Sequence, residues 1–455
     1  MTVTPSLQNP PKPAPPSISP GRPNVGEAKR LIEEKREQAW VELALRYGRT
    51  FRFQGIFVTC DPQLVEILLT RKVHTERRAR SYKAMSRLIP GAPGPLFMDG
   101  AEWLRQTKTL LPAFHGSHVD SLPQTIHATA FDYASRWRHG ERIEDLFTEV
   151  SKLGVDVALR AGLGLDPQDS LARALGEELM RYKFHTMRSM GRLDEFGFSI
   201  GQLRHLPQFL TGLMKLKSQM KRIGAIVHSI LTERRIAGEN GWIWLLRDAG
   251  YSDLEITNTI NHLYGAYNAS DFSITCALYE LSRNPEWTER LRREFAAVLG
   301  DRPHPVKEDF PRLVNTTCFM EEVFRKYPVA MGVMRQTGEP IEAGGERIPA
   351  GAEVMILLYA LHHHPDLWEA PETFDPLRWQ SAATPQSPYS YIPFLTGPRQ
   401  CLGRRLAEMN FVIILHALLR RFDIEVLDYS ARMTPYLIPR FDRDIPCEIR
   451  PRRQR

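Results

Sequence analysis

The run "PFLTGPRQCLGRRLAEMNFVIILHALLRRF", from Pro393 to Phe422, leaves this chain fewer folding options than any other stretch of it. Gly397 and Pro398 demand a tight, irregular loop. Cys401 ends that loop, Gly403 lets backbone approach closely, and a long apolar helix begins at once. A cysteine at a helix N-terminus, with Arg399, Arg404 and Arg405 beside it, sits in an electropositive setting that favours thiolate over thiol. By itself the segment describes a reactive or metal-ligating cysteine. The competing reading, a buried structural thiol, fits poorly with a Gly-Pro-Arg loop on one side and a helix start on the other.

Composition narrows the class. Of 455 residues, 42% are hydrophobic and 25% charged, which suits a globular protein with a large core. The length admits two or three average domains or one large fold. No apolar run approaches the roughly 18 residues of a membrane span; the most apolar, "FVIILHALL" from Phe411, ends in Arg420 and Arg421. Residues 1–26 read as a Pro-rich flexible lead-in, because "MTVTPSLQNPPKPAPPSISPGRP" lacks the charged start, apolar centre and cleavage site of a secretory signal. The five cysteines (Cys60, Cys276, Cys318, Cys401 and Cys447) are odd in number and include no CxxC pair, which fits reduced thiols in a cytoplasm. A net charge of +7 suggests an acidic partner, but scattered Lys and Arg without a reader motif argue against nucleic acid.

Along the chain, "GEAKRLIEEKREQAWVELALRYG" has the spacing of an amphipathic helix, and "TFRFQGIFVTCDP" alternates like a strand pair, with Asp61 and Pro62 opening the helical "QLVEILLT". Residues from about Ile126 to Glu308 are mostly helical in pattern. Hairpin character returns at residues 339–358 around Gly344, Gly345 and Gly351. No repeat is present, and a mainly α body with a small sheet built from distant segments fits better than a βαβ series.

Two further segments give the cysteine loop its meaning. "EEVFRKYP" places Glu322 and Arg325 three apart on a helix, which alone would read as a surface pair, and "FDPLRW" supplies Arg378. The set Phe394, Gly397, Arg399, Cys401 and Gly403 closely resembles the haem-binding loop of the cytochrome P450 family. Glu322 and Arg325 resemble that family's Glu-x-x-Arg pair, with Arg378 as third member of its buried ion network, and all three motifs stand in the family's order. The resemblance covers roughly residues 27–450 and leaves 451–455 as a basic tail. It implies one domain of the P450 fold, a large helical body with a small β-rich subdomain, holding haem b with the Cys401 thiolate as axial ligand to the iron. Such a thiolate pushes electron density onto the iron and favours O–O cleavage. "MDGAEWLRQTKTLLPAF" is similar to a family helix in which Trp103 contacts a haem propionate, and Arg335 and Arg399 are implied as further partners. The family usually has a His or Arg where this chain has Thr107, so the resemblance implies that propionate charge compensation falls either to Lys108 or to Arg335 and Arg399. Glu322, Arg325 and Arg378 are implied to hold the segment behind the cysteine loop.

The stretch "HLYGAYNASDFSITCALYELSRNPEW", from His262, departs from the family. Matching "ALYELSRNP" to the end of the family's long distal helix turns its Ala/Gly-Gly-x-Asp/Glu-Thr-Thr motif into Gly265, Ala266, Tyr267, Asn268, Ala269 and Ser270. Small residues remain where the helix passes the haem, but the acid has become Asn268 and the alcohol Ala269. Neither supplies a titratable proton. Ser270 and Asp271 turn away from Ala269 by about 100° per residue, so they substitute only if the helix is locally rewound. Three readings follow: a monooxygenase whose protons come from Asn268-held water, Ser270 or the substrate; an enzyme that rearranges or transfers a group from a substrate carrying its own O–O or N–O bond; or a non-catalytic haem-binding protein. Ala269 equally fits a site that makes room for a bulky substrate.

Plainer readings cover the rest. Tyr264, Tyr267 and Phe272 are core aromatics or pocket lining, and "LHHHP" at His362 to His364 is a turn or surface feature rather than a metal site. "HLPQFLTGLMKLKSQMKR" from His205 fits a lid over substrate entry better than a membrane anchor. The chain has no dinucleotide fingerprint, so a monooxygenase needs an external ferredoxin or flavodoxin with its reductase. A docking face of Arg105, Lys108, Lys326, Arg404 and Arg405 would serve it. The expectation is therefore a soluble, cytoplasmic, bacterial-type haem-thiolate enzyme, a biosynthetic monooxygenase of small organic substrates.

Overall fold

The computed structural model describes residues 23–75, 78–91, 94–138, 140–190, 206–233, 241–343, 346–381, 385, 387–434 and 440–452. Most of the expected lead-in, the last three residues of the basic tail, His205 at the start of the expected lid, and Gly344 and Gly345 fall outside them.

The chain begins with α1 (Val25–Lys35) and α2 (Gln38–Tyr47), then forms the hairpin of β1 (Thr50–Phe53) and β2 (Ile56–Thr59). Gln54 and Gly55 both take positive φ at its turn, the geometry that matches strand twist in a two-residue hairpin. Asp61 then starts α3 (Pro62–Thr70): its Oδ1 accepts the N–H groups of Gln63 at 2.9 Å and Leu64 at 3.2 Å, and Pro62 occupies the first turn. After these come α4 (Lys72–Thr75), α5 (Arg80–Leu88), α6 (Gly100–Phe114), α7 (Gly116–Ser121), α8 (Pro123–Ala134) and the short β3 (Glu141–Ile143). The expected helical centre is present as α9 (Leu146–Val157), α10 (Ser170–Met190), α11 (Leu206–Glu233), α12 (Trp242–Asp248), α13 (Asp253–Arg283) and α14 (Pro285–Leu299). A last helix–sheet stretch holds α15 (Val314–Lys326), β4 (Val333–Gln336), β5 (Ile341–Ala343), β6 (Glu346–Ile348), β7 (Glu353–Ile356), α16 (Leu358–His363), α17 (Arg404–Arg421), β8 (Phe422–Val426) and β9 (Cys447–Pro451).

The sheets join remote segments, as expected. The largest runs β1-β2-β7-β4, with β2 parallel to β7 and Thr59 opposite Ile356. A second runs β3-β9-β8. The middle of the molecule is α13, 31 residues long and buried round most of its circumference, which is how a helix reads when neighbours cover all its faces. Its start is fixed by Ser252, which receives the Glu255 N–H while Glu255 receives the Ser252 N–H. No helix among the described residues is long and apolar enough to cross a membrane.

The most demanding buried interaction is an ion network at the end of α15. Glu322 and Arg325 are both 0% exposed and form a two-pronged pair, Nε to Oε2 at 2.9 Å and Nη2 to Oε1 at 2.8 Å. Arg378 adds a bond to Glu322 Oε1 at 3.2 Å, and the indole N–H of Trp379 and the backbone N–H of Asp375 also donate to this carboxylate. Arg325 spends its remaining donors on the carbonyls of His362, Pro371 and Thr373. Every lone pair and proton is used, the condition for a buried pair to be tolerated.

The histidine run is a correction. His362, His363 and His364 are buried, at the end of α16 and just past it, rather than at a surface turn. His363 stacks on Tyr359 with ring centroids 4.0 Å apart, His364 Nδ1 accepts the Asp366 N–H, and His362 Nε2 accepts the Ile392 N–H at 3.2 Å. Their side chains make separate contacts, and no group of metal-ligating residues occurs among the described residues.

Removing one partner of the network strands a buried charge. Arg325→Met is expected to cost about 3–5 kcal/mol, read as a lower urea midpoint, whereas Glu322→Leu with Arg325→Met costs less because no charge is left unpaired. Acid sensitivity has a second source. Burial pushes His362 and His416 down from 6.5 to about 3, so both stay neutral in the fold while the unfolded chain takes up protons. Their contribution is fully present above pH 6.5 and is lost as pH falls toward 3, because the unfolded state then binds more protons. His416, with its Phe295 and His127 neighbours, makes no hydrogen bond through Nδ1 among the described residues, so His416→Leu is expected to move the acid-unfolding midpoint to lower pH.

Candidate active site

A cavity of about 320 Å³ lies between α13 and the loop that precedes α17. Its size is that of a small-molecule site. Its walls are mostly apolar, and Cys401 is the cysteine that faces it among the described residues. Cys60, Cys276, Cys318 and Cys447 are buried elsewhere, Cys447 on β9 between two strands.

The loop is built to present that sulfur. Gly397 has φ +75°, and a Cβ there would lie 2.0 Å from the Leu69 carbonyl oxygen, so only glycine fits. Leu395 also takes a positive φ, 58°, a strained conformation for a branched side chain. Cys401 N–H donates to the Phe394 carbonyl at 2.8 Å, closing the loop. The expectation of close approach at Gly403 is only partly met: a Cβ would sit 3.8 Å from Phe114 and 4.0 Å from Cys401 Sγ, ordinary contacts. Behind the loop, His362 joins the two halves of the site. Its carbonyl is held by Arg325 and its ring receives the Ile392 N–H, one residue before the loop begins. The Glu322, Arg325 and Arg378 network thus reaches the cysteine loop through a residue that sequence reasoning dismissed.

Cys401 opens onto the cavity yet lies deep within the protein, and burial pushes its thiol up. The N–H groups of Gly403 and Arg404 and the Arg404 guanidinium pull it down, but less. A metal bound at the sulfur adds to the pull of the helix start and of Arg404 toward the thiolate.

Two arginines, Arg78 and Arg399, stand at one edge of the cavity, with Arg335 close to both. Arg399 lies 3.9 Å over the Trp103 ring and donates to the Met98 carbonyl at 2.7 Å. Arg78 donates to the Met98 and Pro95 carbonyls at 3.4 and 3.3 Å. Arg335, 2% exposed on β4, donates to the Met334 carbonyl, while its Nε and Nη2 have no partner among the described residues. Burial first, and then the neighbouring guanidinia, push Arg78 down to about 9; burial and Arg335 push Arg399 down to about 10. Such a cluster is electrostatically incomplete without anions. A haem fits on both counts, with a metal for the thiol and two carboxylates for the arginines. Trp103 and Arg399 both line the cavity, while Arg335 is outside the lining and close enough to Arg399 and Arg78 to push both down. Lys108 is exposed on α6 and absent from the lining, whereas Thr107 faces the cavity with a buried hydroxyl that has no partner among the described residues. Arg78 was missed because it sits in "TERRARSYK", where one arginine among several reads as a solvated charge run.

The α13 residues divide by face. His262, Leu263, Ala266, Tyr267, Ala269 and Ser270 line the cavity, and the Tyr267 hydroxyl accepts from Asn410 on α17. Gly265 and Ala266 are both exposed, and a Cβ at Gly265 would meet nothing within 4 Å. Ser270 reaches the cavity and also an adjoining void of about 30 Å³, with α13 unbroken, so no rewinding is required. Asn268 is buried and does not line the cavity; Asp271 is bound to Lys183 on α10. Phe272 packs in the core against Phe147 and Phe441. His262, a cavity-facing imidazole that accepts the Leu96 N–H at 3.4 Å, carried no signal in the sequence beyond its helical spacing. The expected docking face loses Lys326, which pairs with Glu280 at 3.3 Å, and Arg404 and Arg405 are already paired with Glu408 and Asp120.

If the arginines hold the haem carboxylates, Arg335→Met or Arg78→Met removes a charge-assisted bond of about 1.5–3 kcal/mol. Haem transfer to an excess of apomyoglobin is then expected to be about 10- to 100-fold faster, with Lys108→Met unchanged.

Comparison with known proteins agrees with this geometry. The Cytochrome P450 family profile matches residues 206–436. The chain is 25% identical to "Cytochrome P450 4X1" of Mus musculus over 398 residues, 82% of this chain and 77% of that protein. It is 27% identical to "Cytochrome P450 734A5" of Oryza sativa subsp. japonica, over 87% of this chain and 76% of the other. A shorter match, 34% over 175 residues, covers 38% of this chain and 35% of "Cytochrome P450 3A5" of Homo sapiens. The chain belongs to the cytochrome P450 family and is a haem-thiolate oxidoreductase.

Proposed function

We propose that residues 27–450 form one monooxygenase domain, with Cys401 as the axial haem ligand, and that it oxygenates a small, largely apolar molecule of a biosynthetic route. The observation that carries the reading is the Ser270 hydroxyl on the cavity wall beside Ala269. It offers a donor one position from the missing alcohol, while Ala269 leaves room for substrate. When bound, the haem activates dioxygen with electrons from outside. The overall balance is one C–H bond, one dioxygen, two electrons and two protons giving one C–OH and one water. Within that balance the chain's own residues have separate tasks. Arg78, Arg335, Arg399 and Trp103 orient the cofactor edge, Pro95, Leu96, Leu263 and Val329 exclude water from the apolar wall, and Ser270 holds a proton at its Oγ.

Electrons come from an external ferredoxin or flavodoxin. The docking face is reduced to Arg105, Lys108, Arg404 and Arg405, of which the last two must exchange partners on binding. No sign of rearrangement chemistry attaches to Asn268, whose side chain is turned from the cavity. The reading is tested by growth under labelled dioxygen, comparing the native strain with Cys401→Ser. Label in a product that the variant lacks is expected; an unlabelled product would point to a substrate bringing its own O–O or N–O bond. With such a product in hand, Ser270→Ala is expected to lower its rate of formation by about a hundredfold without displacing the haem.

A further inference from the structure

The open ground on α13 forms one stripe. From Ile256 to Leu281 every residue is buried except Asn258, His262, Gly265, Ala266, Ala269 and Ser270. The last five follow one another along the helix, and between the two ends stand only glycine and alanine, whose side chains carry no polar atom. His262 and Ser270 are eight residues apart, ~12 Å along the helix axis. The Ser270 end, with Ala269, is where the oxygenation reading places the reaction. His262 is the polar side chain of the other end, and the mechanism above gives it no task.

The imidazole is set in place by the loop that precedes α6. A Cβ at Gly94 would lie 2.3 Å from His262 Cγ and 2.7 Å from Cδ2, so glycine lets the loop backbone lie against that side of the ring. The Leu96 N–H donates to Nε2 at 3.4 Å, and Phe97 meets the ring in a T-shaped contact with centroids 5.8 Å apart. An Nε2 that accepts puts the proton of a neutral imidazole on Nδ1. Because Cγ, Cδ2 and Nε2 all face the loop, the Nδ1–Cε1 edge is turned from it, toward the cavity that His262 lines. Arg78 belongs to the same end, where it donates to the Pro95 carbonyl at 3.3 Å.

We infer that His262 anchors the substrate: its Nδ1–H donates to a neutral carbonyl oxygen at one end of an elongated apolar molecule, whose other end reacts beside Ala269 and Ser270. Charge selects the neutral class. A carboxylate would bring an anion to an apolar wall whose nearest cation, Arg78, is already matched by the haem carboxylates. The inference rests on the oxygenation reading for where the reaction falls, while the anchoring itself does not depend on it. His262 thereby determines which molecule binds and which of its carbons lies at the Ser270 end.

The test titrates the haem-loaded protein with straight-chain methyl ketones and with the alkenes of the same shape, in which a CH2 group replaces the carbonyl oxygen. Binding is read from the shift of the haem Soret band. One neutral hydrogen bond is expected to make the wild type bind the ketone about three- to tenfold tighter than the alkene. In His262→Phe the two are expected to bind alike, and His262→Gln, which keeps a donor, restores part of the preference. Under labelled dioxygen the wild type is expected to oxygenate the ketone far from its carbonyl, and His262→Phe to spread label along the chain. Equal affinities in the wild type, an unchanged preference in His262→Phe, or tighter binding of the carboxylic acid of equal length would overturn the proposal. So would haem transfer to apomyoglobin that quickens in His262→Phe as in Arg335→Met, since His262 would then serve the cofactor. A ketone preference that is lost with His262, in a protein that puts no label into the ketone, would sink the oxygenation reading and leave the anchor standing.

Discussion

A carboxylate with no exposure to water sets the terms for the rest of this molecule. Glu322 is held by Arg325, Arg378, the Trp379 indole and a backbone N–H, and Arg325 passes the restraint to the carbonyls of His362, Pro371 and Thr373. A buried charge of this kind is stable only when each partner is in place. That demand fixes α15, α16 and the segment around Arg378 relative to one another. Through the His362 ring and Ile392 it extends to the backbone that carries Cys401. The position of the sulfur is therefore set from behind, by groups that never meet the cavity.

The cavity is the electrostatic converse of that network. Where Glu322 has more donors than it needs, Arg335 has two N–H groups with no acceptor and sits near Arg78 and Arg399. The thiol of Cys401 is pushed up by burial, so the apolar setting that suits substrate also works against the thiolate. Both imbalances run in the direction that one anionic, metal-bearing cofactor corrects. A protein that buries guanidinia and a thiol round an apolar space has its charges arranged for a guest.

The long helix α13 shows how one element serves two environments. Its cavity face is small and apolar apart from His262, Tyr267 and Ser270, and its far face carries Tyr264, Asn268 and Asp271 against α9 and α10. Fully buried Lys183 and Asp271 are costly to desolvate, and Gly154 is shaped to admit them.

Much of this was legible in the sequence. A Gly-Pro-Arg-x-Cys loop before a helix, an acid and a base three apart, and an arginine after Phe-Asp-Pro are local patterns, and local patterns survive without coordinates because they depend on backbone geometry and helical spacing. Asp61 and Pro62 announced α3 in the same way. Contact between distant segments was not legible. Lys108 and Arg78 are both basic residues in charged surroundings, and only tertiary packing makes one exposed on α6 and the other, held by the Pro95 and Met98 carbonyls, a wall of the cavity. The three histidines gave no hint of burial: His363 and His364 bond to near neighbours, Tyr359 and Asp366, but the segments that cover them are remote, as the Ile392 N–H on His362 shows. Lys183 and Asp271 are 88 residues apart. The sequence alone determined the family, the cofactor loop and the ion network, because each is written in short-range spacing; tertiary structure decided which cations face the cavity and which buried polar atoms lack partners, because burial is a property of all the segments that meet at a point.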